Sequence, residues 1–161
     1  MLMLLFRIGG ERYVCQCDQI VEIFPRVPVR SVIQAPAYVV GLFTYRGFPI
    51  PVIDFSMLVS GRQSNHFLST RMILFQKEAF GGGAMYLGLI AERVTDTIES
   101  NPTEFLETGI ELIDANFLGG ILSDDKGLIH YILINKLFEN AEKLLTGTLG
   151  CAFNRVCLGQ S

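Results

Sequence analysis

Apolar and polar positions alternate with a period of two over most of the chain, in short runs broken by glycine and proline. "LLFRIGG" and "ERYVCQC" flank a Gly-Gly turn and predict a hairpin. In "QIVEIF", Ile20, Glu22 and Phe24 share one side of a strand, and Val21 and Ile23 share the other. "PVRSVI" is a further short candidate, and "GLFTYRG" with "FPIPVIDF" predicts a second hairpin bent at Arg46-Gly47. Pro49 and Pro51 cannot donate to a ladder, which predicts an edge position for that arm. The second half repeats this order: "TRMILFQ" and "MYLGLIAE" around the loop "KEAFGGGA", then "RVTDTIE", then "LGGILSDDKG" and "LIHYILI". A helical period occurs once. Ile134, Leu137, Phe138, Ala141, Leu144 and Leu145 fall on one face, opposite Glu139, Asn140, Glu142 and Lys143, with Gly147 as the C-cap.

The two halves match in detail. Tyr13 aligns with Tyr86, Glu22 with Asp96, and Gly41 and Gly47 with Gly120 and Gly127. Asp54 aligns with Asn135, each a preferred N-cap residue. This is a loose internal duplication. The fold class it predicts is all-β: two pseudo-repeated five-stranded barrels with a C-terminal α-helix over an open end. Residues 1–150 form one domain of two intertwined barrels, roughly 15–70 and 1–14 plus 71–145, and 146–161 is a tail with no readable period. Halves of roughly 75 residues are marginal alone, so the barrels are expected to share an interface.

Composition narrows the function. Half the 161 residues are apolar, 18% are charged and the net charge is −3, with no basic run or face, which argues against nucleic acid as a partner. His66 and His130 lie far apart without carboxylates at ligand spacing, so no metal is expected. "MLMLLFRIGG" lacks the basic start and cleavage site of a signal peptide and reads as an apolar first strand. No run approaches the roughly 18 apolar residues of a membrane span. Cys15, Cys17, Cys151 and Cys157 are then expected as reduced thiols in the cytoplasm, and C-x-C lacks the redox spacing. Cys15 with either histidine has no nucleophile signature, and "FGGGA" lacks the Lys-Ser/Thr of a phosphate loop. No enzyme activity and no cofactor are expected.

The stretch "APAYVVGLFTYRGFPIPVIDF" carries a resemblance. With "LLFRIGGERYVCQCDQIVEI", "YLGLIAERVTDTI" and "LGGILSDDKGLIHYILINKLF" it resembles the CheW-like coupling domain of bacterial chemotaxis pathways over about Leu4 to Leu145. The strongest piece is Pro36-Ala37, Gly41, Arg46-Gly47, Pro51-Val52 and Asp54 in the pattern P-A-x3-G-x4-R-G-x3-P-V-x-D. The resemblance implies two SH3-like barrels without an active site. It also implies a scaffold joining the cytoplasmic tip of a methyl-accepting chemoreceptor to the regulatory domain of a CheA-type histidine kinase, at membrane-associated receptor clusters. "LSTR" and "ERVTDTI" resemble couplers of Wsp-type surface-sensing pathways, which feed a diguanylate cyclase regulator. Where the family commonly has Asn-Leu-Arg-Gly, this chain has Thr44-Tyr45-Arg46-Gly47, which bears on which receptor fits.

Two readings of Arg46 follow: a plain turn residue, or a fork that pairs with a receptor carboxylate while Tyr45 and Phe43 offer apolar surface. The same choice holds for Ile20 and Glu22, as core and solvated strand residues or as contacts. Gly41 is expected to allow close backbone approach, Gly47 to bend the hairpin, and Val94 to line the groove of the second repeat. The alternative roles are an SH3-like module that inhibits or caps array growth, or one that binds another partner. Clustered aromatics, which a peptide groove of that kind needs, are not visible in the scattered tyrosines. Open barrel edges predict weak self-association.

Overall fold

The structure is a computed structural model and describes residues 1–79, 81–107 and 116–141. Among the described residues the alternating runs form ten strands: β1 (Leu2–Ile8), β2 (Glu11–Gln16), β3 (Ile20–Pro25), β4 (Val39–Tyr45), β5 (Phe48–Asp54), β6 (Arg71–Glu78), β7 (Ala84–Ala91), β8 (Asp96–Glu99), β9 (Leu118–Asp124) and β10 (Gly127–Ile132). Helix α1 (Phe55–Ser60) follows β5, and a second helix, α2, occupies 134–141. "PVRSVI" forms no strand and contributes a single bridge, Arg30 to Leu42. The expected burial of Leu144 and Leu145, the Gly147 cap and the tail with Cys151 and Cys157 lie outside the described residues.

Two five-stranded sheets form, in the orders β8-β1-β2-β10-β9 and β3-β6-β7-β5-β4. These orders are the same once each strand is replaced by its repeat mate, so both halves of the duplication build one topology. The hairpins, however, are exchanged. The β1–β2 hairpin joins β8, β9 and β10 of the second half, and the β6–β7 hairpin joins β3, β4 and β5 of the first. This corrects the strand division expected from sequence. Residues 71–91 belong to the barrel of the first half, because β7 runs parallel to β5 (Val52 beside Gly88), as β2 runs parallel to β10 (Tyr131 beside Val14).

The exchange explains why the hairpin strands are apolar on both faces. On β1, Met3 and Leu5 point into one barrel with Val14, Phe105 and Ile129, while Leu4, Phe6 and Ile8 point the other way. There they meet Ile73, Phe75, Leu87 and Leu89 of the other hairpin, together with Phe55 of α1. Phe6 and Tyr13 pack on the Phe55 ring at 5.3 and 5.1 Å, edge to face. Helix α2 buries Ile134, Leu137, Phe138 and Ala141 against the same cluster, the face its period predicts. The other barrel's own interior is smaller than this shared core: Val52, Met72 and Ile90 form its buried cluster, with Ile50 and Leu74 buried on the same strand faces. The shared core therefore holds the barrels together.

Three sequence expectations change with the registers. β5 is not an edge strand, since β7 and β4 flank it. Its ladder with β7 covers only Val52–Asp54, so Pro49 and Pro51 sit where one side of β5 is unpaired and no donor is needed. Tyr86 is the mate of Arg12, not of Tyr13: Tyr86 faces Gln76 across β6–β7 as Arg12 faces Arg7 across β1–β2. The mate of Asp54 is Leu133, because Val39 pairs with Ile53 as Leu118 pairs with Ile132, each beside a bulge. Asn135 lies within α2 and accepts from the Gln19 amide at 2.9 Å.

Asp54 is the expected N-cap and also a staple. Its carboxylate accepts from the backbone N–H groups of Ser56 (3.0 Å), Met57 (3.3 Å) and Ser64 (2.9 Å), and from the Ser64 hydroxyl. It thus starts α1 and fastens the segment leading to the second half. Asp54→Ala is expected to lower stability by about 2 kcal/mol, a lost cap plus a buried donor left unpaired. Denaturant unfolding checks this, with Asp54→Asn falling between the two.

Candidate partner-binding surfaces

Sheet edges β3 and β4 are not hydrogen-bonded to each other, yet the sheet curls until their side chains meet. Phe24 of β3 and Phe43 of β4 approach to 5.5 Å between ring centres, and Tyr45 lies 6.1 Å from Phe24 and 6.0 Å from Tyr86 of β7. The Tyr45 hydroxyl donates to Glu22 at 3.5 Å. Phe24, Phe43, Tyr45 and Tyr86, all half-buried, plug one barrel mouth with an aromatic surface. Tyr45 and Tyr86, far apart in sequence, are therefore neighbours. Phe24 and Tyr86 escaped the sequence reading, although the shared side of Ile20, Glu22 and Phe24 pointed toward Phe24.

Arg46 and Gly47 form the two-residue turn beside this mouth, with φ of +50° and +87°. Both central residues at positive φ define the primed turn that suits a twisted hairpin, where Asn, Asp and Gly are favoured. An arginine there carries a conformational cost that a plain turn would avoid. Its guanidinium lies over the Tyr45 ring, 5.2 Å from the centre, and is paired with no carboxylate among the described residues.

The registers identify the other barrel's equivalent mouth. Tyr45 corresponds to Asp124, Tyr86 to Arg12, Phe43 to Leu122, Phe24 to Ile98 and Arg46 to Asp125. In place of stacked aromatics stands a bidentate ion pair: Arg12 Nη1 donates to Asp124 Oδ2 at 3.0 Å and Nη2 to Oδ1. The Arg12 side chain is only 8% exposed. Hydrogen bonding from Arg12, then the Lys126 backbone N–H and the surrounding cations, hold the Asp124 carboxyl down to about 2. The same backbone thus presents one aromatic mouth with a free cation at its tip and one ionic mouth with an acid at its tip.

Of the remaining sequence candidates, Ile20 and Val94 occupy matching positions ahead of Glu22 and Asp96, and each half-buried side chain leans on the shared core. They lie apart from the aromatic group. Gly41 does what was expected of it. A Cβ there would sit 2.1 Å from the Arg30 carbonyl oxygen, which accepts from Leu42 N at 2.7 Å. Its mate Gly120 is pressed by the Phe105–Leu106 backbone in the same way. Cys15 is fully buried, and burial raises its thiol pKa, the opposite of what a nucleophile needs. Among the described residues, no three His, Cys, Asp or Glu side chains converge on a metal position, and no helix is long and apolar enough to cross a membrane.

A duplicated pair of barrels with exchanged hairpins, unlike mouths and a cation-tipped turn defines the class. The family comparison agrees: residues 2–142 match the CheW-like domain, and the chain belongs to that family. It is 23% identical over 146 residues to the chemotaxis protein CheW of Rhizobium meliloti, covering 88% of this chain and 89% of that protein. It is 25% identical over 145 residues to a probable chemotaxis protein CheW of Rhizobium etli, covering 87% and 88%. The crystal structure of the scaffolding protein TtCheW from Thermoanaerobacter tengcongensis superposes with a TM-score of 0.67 over 81% of this chain and 82% of that one, at 22% identity, and shows the fold.

Two outcomes are expected. Asp124 has its folded pKa depressed below the ordinary 3.8, so its contribution is present above that value and lost as pH falls toward about 2. Acid unfolding of Arg12→Met should consequently show a smaller loss of stability across that window than the parent chain, once both are referenced to neutral pH. Gly41→Ala should cost more than about 2 kcal/mol, because its Cβ meets backbone that cannot swing aside, and Gly120→Ala should behave alike in the same melt.

Proposed function

We propose that the chain is a non-catalytic scaffold that couples a methyl-accepting chemoreceptor to a CheA-type histidine kinase in the cytoplasm, at membrane-associated receptor clusters. The observation that carries this reading is the exposed Arg46 turn, an arginine kept in an unfavourable backbone conformation beside an aromatic surface and paired with no carboxylate among the described residues. A receptor tip is helical and can offer a carboxylate to the guanidinium fork while an apolar neighbour rests on Tyr45 and Phe43. Glu22, bonded to Tyr45, sets the far side of that contact. Gly47 fixes the turn, and Ile20 and Val94, apart from that surface, act as groove residues against the shared core. Two unlike mouths on one rigid body suit a protein that holds two unlike partners, which favours coupling over capping. Weak self-association would run along the open β3 edge, where Val21 and Ile23 are 40% and 42% exposed. Control of a cyclic-di-GMP output is supported only by the Wsp-like wording of "LSTR" and "ERVTDTI".

The test is calorimetric titration of the chain with the kinase regulatory domain and, separately, with a receptor-tip fragment, alongside a melting curve. Arg46→Glu should melt with the parent and bind the receptor fragment at least about tenfold more weakly. Unchanged receptor affinity, or a large drop in melting temperature, defeats the contact assigned to Arg46. Absence of kinase binding at high concentration removes the coupling role.

A further inference from the structure

Away from both mouths, the far end of the β3–β7 barrel gathers cations. From residue 23 to residue 77 the chain holds six Lys or Arg and a single carboxylate, Asp54, whereas the rest of the chain holds seven and fifteen. The ladders bring four arginines to one end. Pro25 pairs with Arg71 and Arg71 with Ala91, so Arg26 follows β3, Arg71 opens β6 and Arg93 follows β7 there. The segment after α1 joins them: Arg26 Nη1 donates to the Ser64 carbonyl at 3.5 Å, and Arg62 lines a hollow beside Glu92. The carboxylates at this end, Asp54 and Glu92, are each only 3% exposed, and Asn65 N donates to Glu92 at 2.8 Å. Among the described residues, Arg26, Arg62, Arg71 and Arg93 form no ion pair within 4.0 Å.

An apolar tip stands among these charges. Residues 65–70 are pinned by their own hydrogen bonds: Thr70 Oγ1 donates to Asn65 O at 2.6 Å and accepts from Phe67 N at 3.2 Å. Thr70 N donates to Phe67 O at 3.1 Å, and Val94 N to Ser69 O at 2.9 Å. Thr70 is buried, so the loop is anchored, yet it holds Leu68 94% exposed and Phe67 39% exposed. The Arg93 guanidinium lies over the Phe67 ring, 4.6 Å from its centre. Arg93 has a φ of +49°, costly for a residue with a Cβ, as at Arg46. An anchored loop that exposes adjacent large apolar residues beside unpaired guanidinium groups marks a contact surface.

We propose that this end of the barrel docks a protein segment in which carboxylates flank an apolar side chain. The apolar side chain rests on Leu68 and Phe67, and the carboxylates pair with Arg93 and its neighbours. Charge complementarity selects that occupant. A neutral apolar partner would bury guanidinium groups unpaired, whereas carboxylates satisfy them as they are covered. An anionic membrane would meet the same arginines, but the acidic remainder of the chain repels an extended anionic surface more than a short segment. The surface lies at the opposite end of β7 from Tyr86, which packs on Tyr45, so it stands or falls apart from the contact assigned to Arg46.

The probe is a short helical peptide of Leu and Glu, with a matched peptide of Leu and Gln as control. Each is titrated into the full chain labelled with 15N and followed by amide chemical shifts at low ionic strength. Saturable shifts over residues 62–71 and 92–94 are expected with the Glu peptide, weakened about tenfold or more in Arg93→Gly and in Leu68→Ser. Glycine suits the positive φ, so Arg93→Gly should melt no earlier than the parent, and Leu68→Ser alters a side chain already in solvent. An Arg93 that serves the fold alone would instead lower the melting temperature when replaced and leave the peptide bound. Shifts that never saturate, that fall at Tyr45 and Arg46 instead, that the Gln peptide reproduces at equal affinity, or that persist in both variants overturn the proposal. So does tight binding to phosphatidylglycerol vesicles without any binding of the Glu peptide, which assigns the surface to a membrane.

Discussion

Everything in this structure depends on the core shared by the two exchanged hairpins. The largest buried apolar cluster lies between the two exchanged hairpins and the helices, and the hydrophobic effect scales with area removed from water. Exchanging hairpins lets β1, β2, β6 and β7 bury both faces, one inside a barrel and one against the other hairpin. The largest fully buried aromatic side chains, Phe6, Phe55, Phe75 and Phe138, come from both halves of the duplication and both helices. The barrels therefore fold as one body, and the relative positions of the two mouths are fixed rather than hinged.

That rigidity gives the divergence of the mouths its meaning. Duplication produced two identical frames, down to a bulge and a tight glycine in each. Selection then filled one mouth with Phe24, Phe43, Tyr45 and Tyr86 and the other with Arg12 and Asp124. An aromatic plug with an arginine at its rim attracts apolar and anionic groups. An internally satisfied ion pair with acids around it discriminates by charge and is costly to cover without complementary groups. One scaffold can in this way point two different chemistries outward.

Much of this was legible because strands announce themselves by period two and by turn residues. The hairpins, the N-cap at Asp54, the α2 face and the close approach at Gly41 could each be read from local sequence. What failed did so for one reason. Aligning the repeats by residue likeness set Tyr86 against Tyr13 and Asn135 against Asp54, yet the ladders set them against Arg12 and Leu133. Likeness follows side-chain chemistry, whereas equivalence in a fold follows hydrogen-bond register, and a one-residue slip hides every mate. Hence the correspondence of Tyr45 with Asp124 was invisible, and with it the contrast between the mouths.

The sequence by itself determined the class of fold, its duplication and the turn that carries Arg46, because alternation, glycine placement and proline act over a few residues. Only the tertiary structure decided which hairpin completes which barrel and that Phe24 and Tyr86 join Tyr45. Those outcomes rest on contacts between strands far apart in the chain, whose pairing is selected by the total surface the whole body can bury.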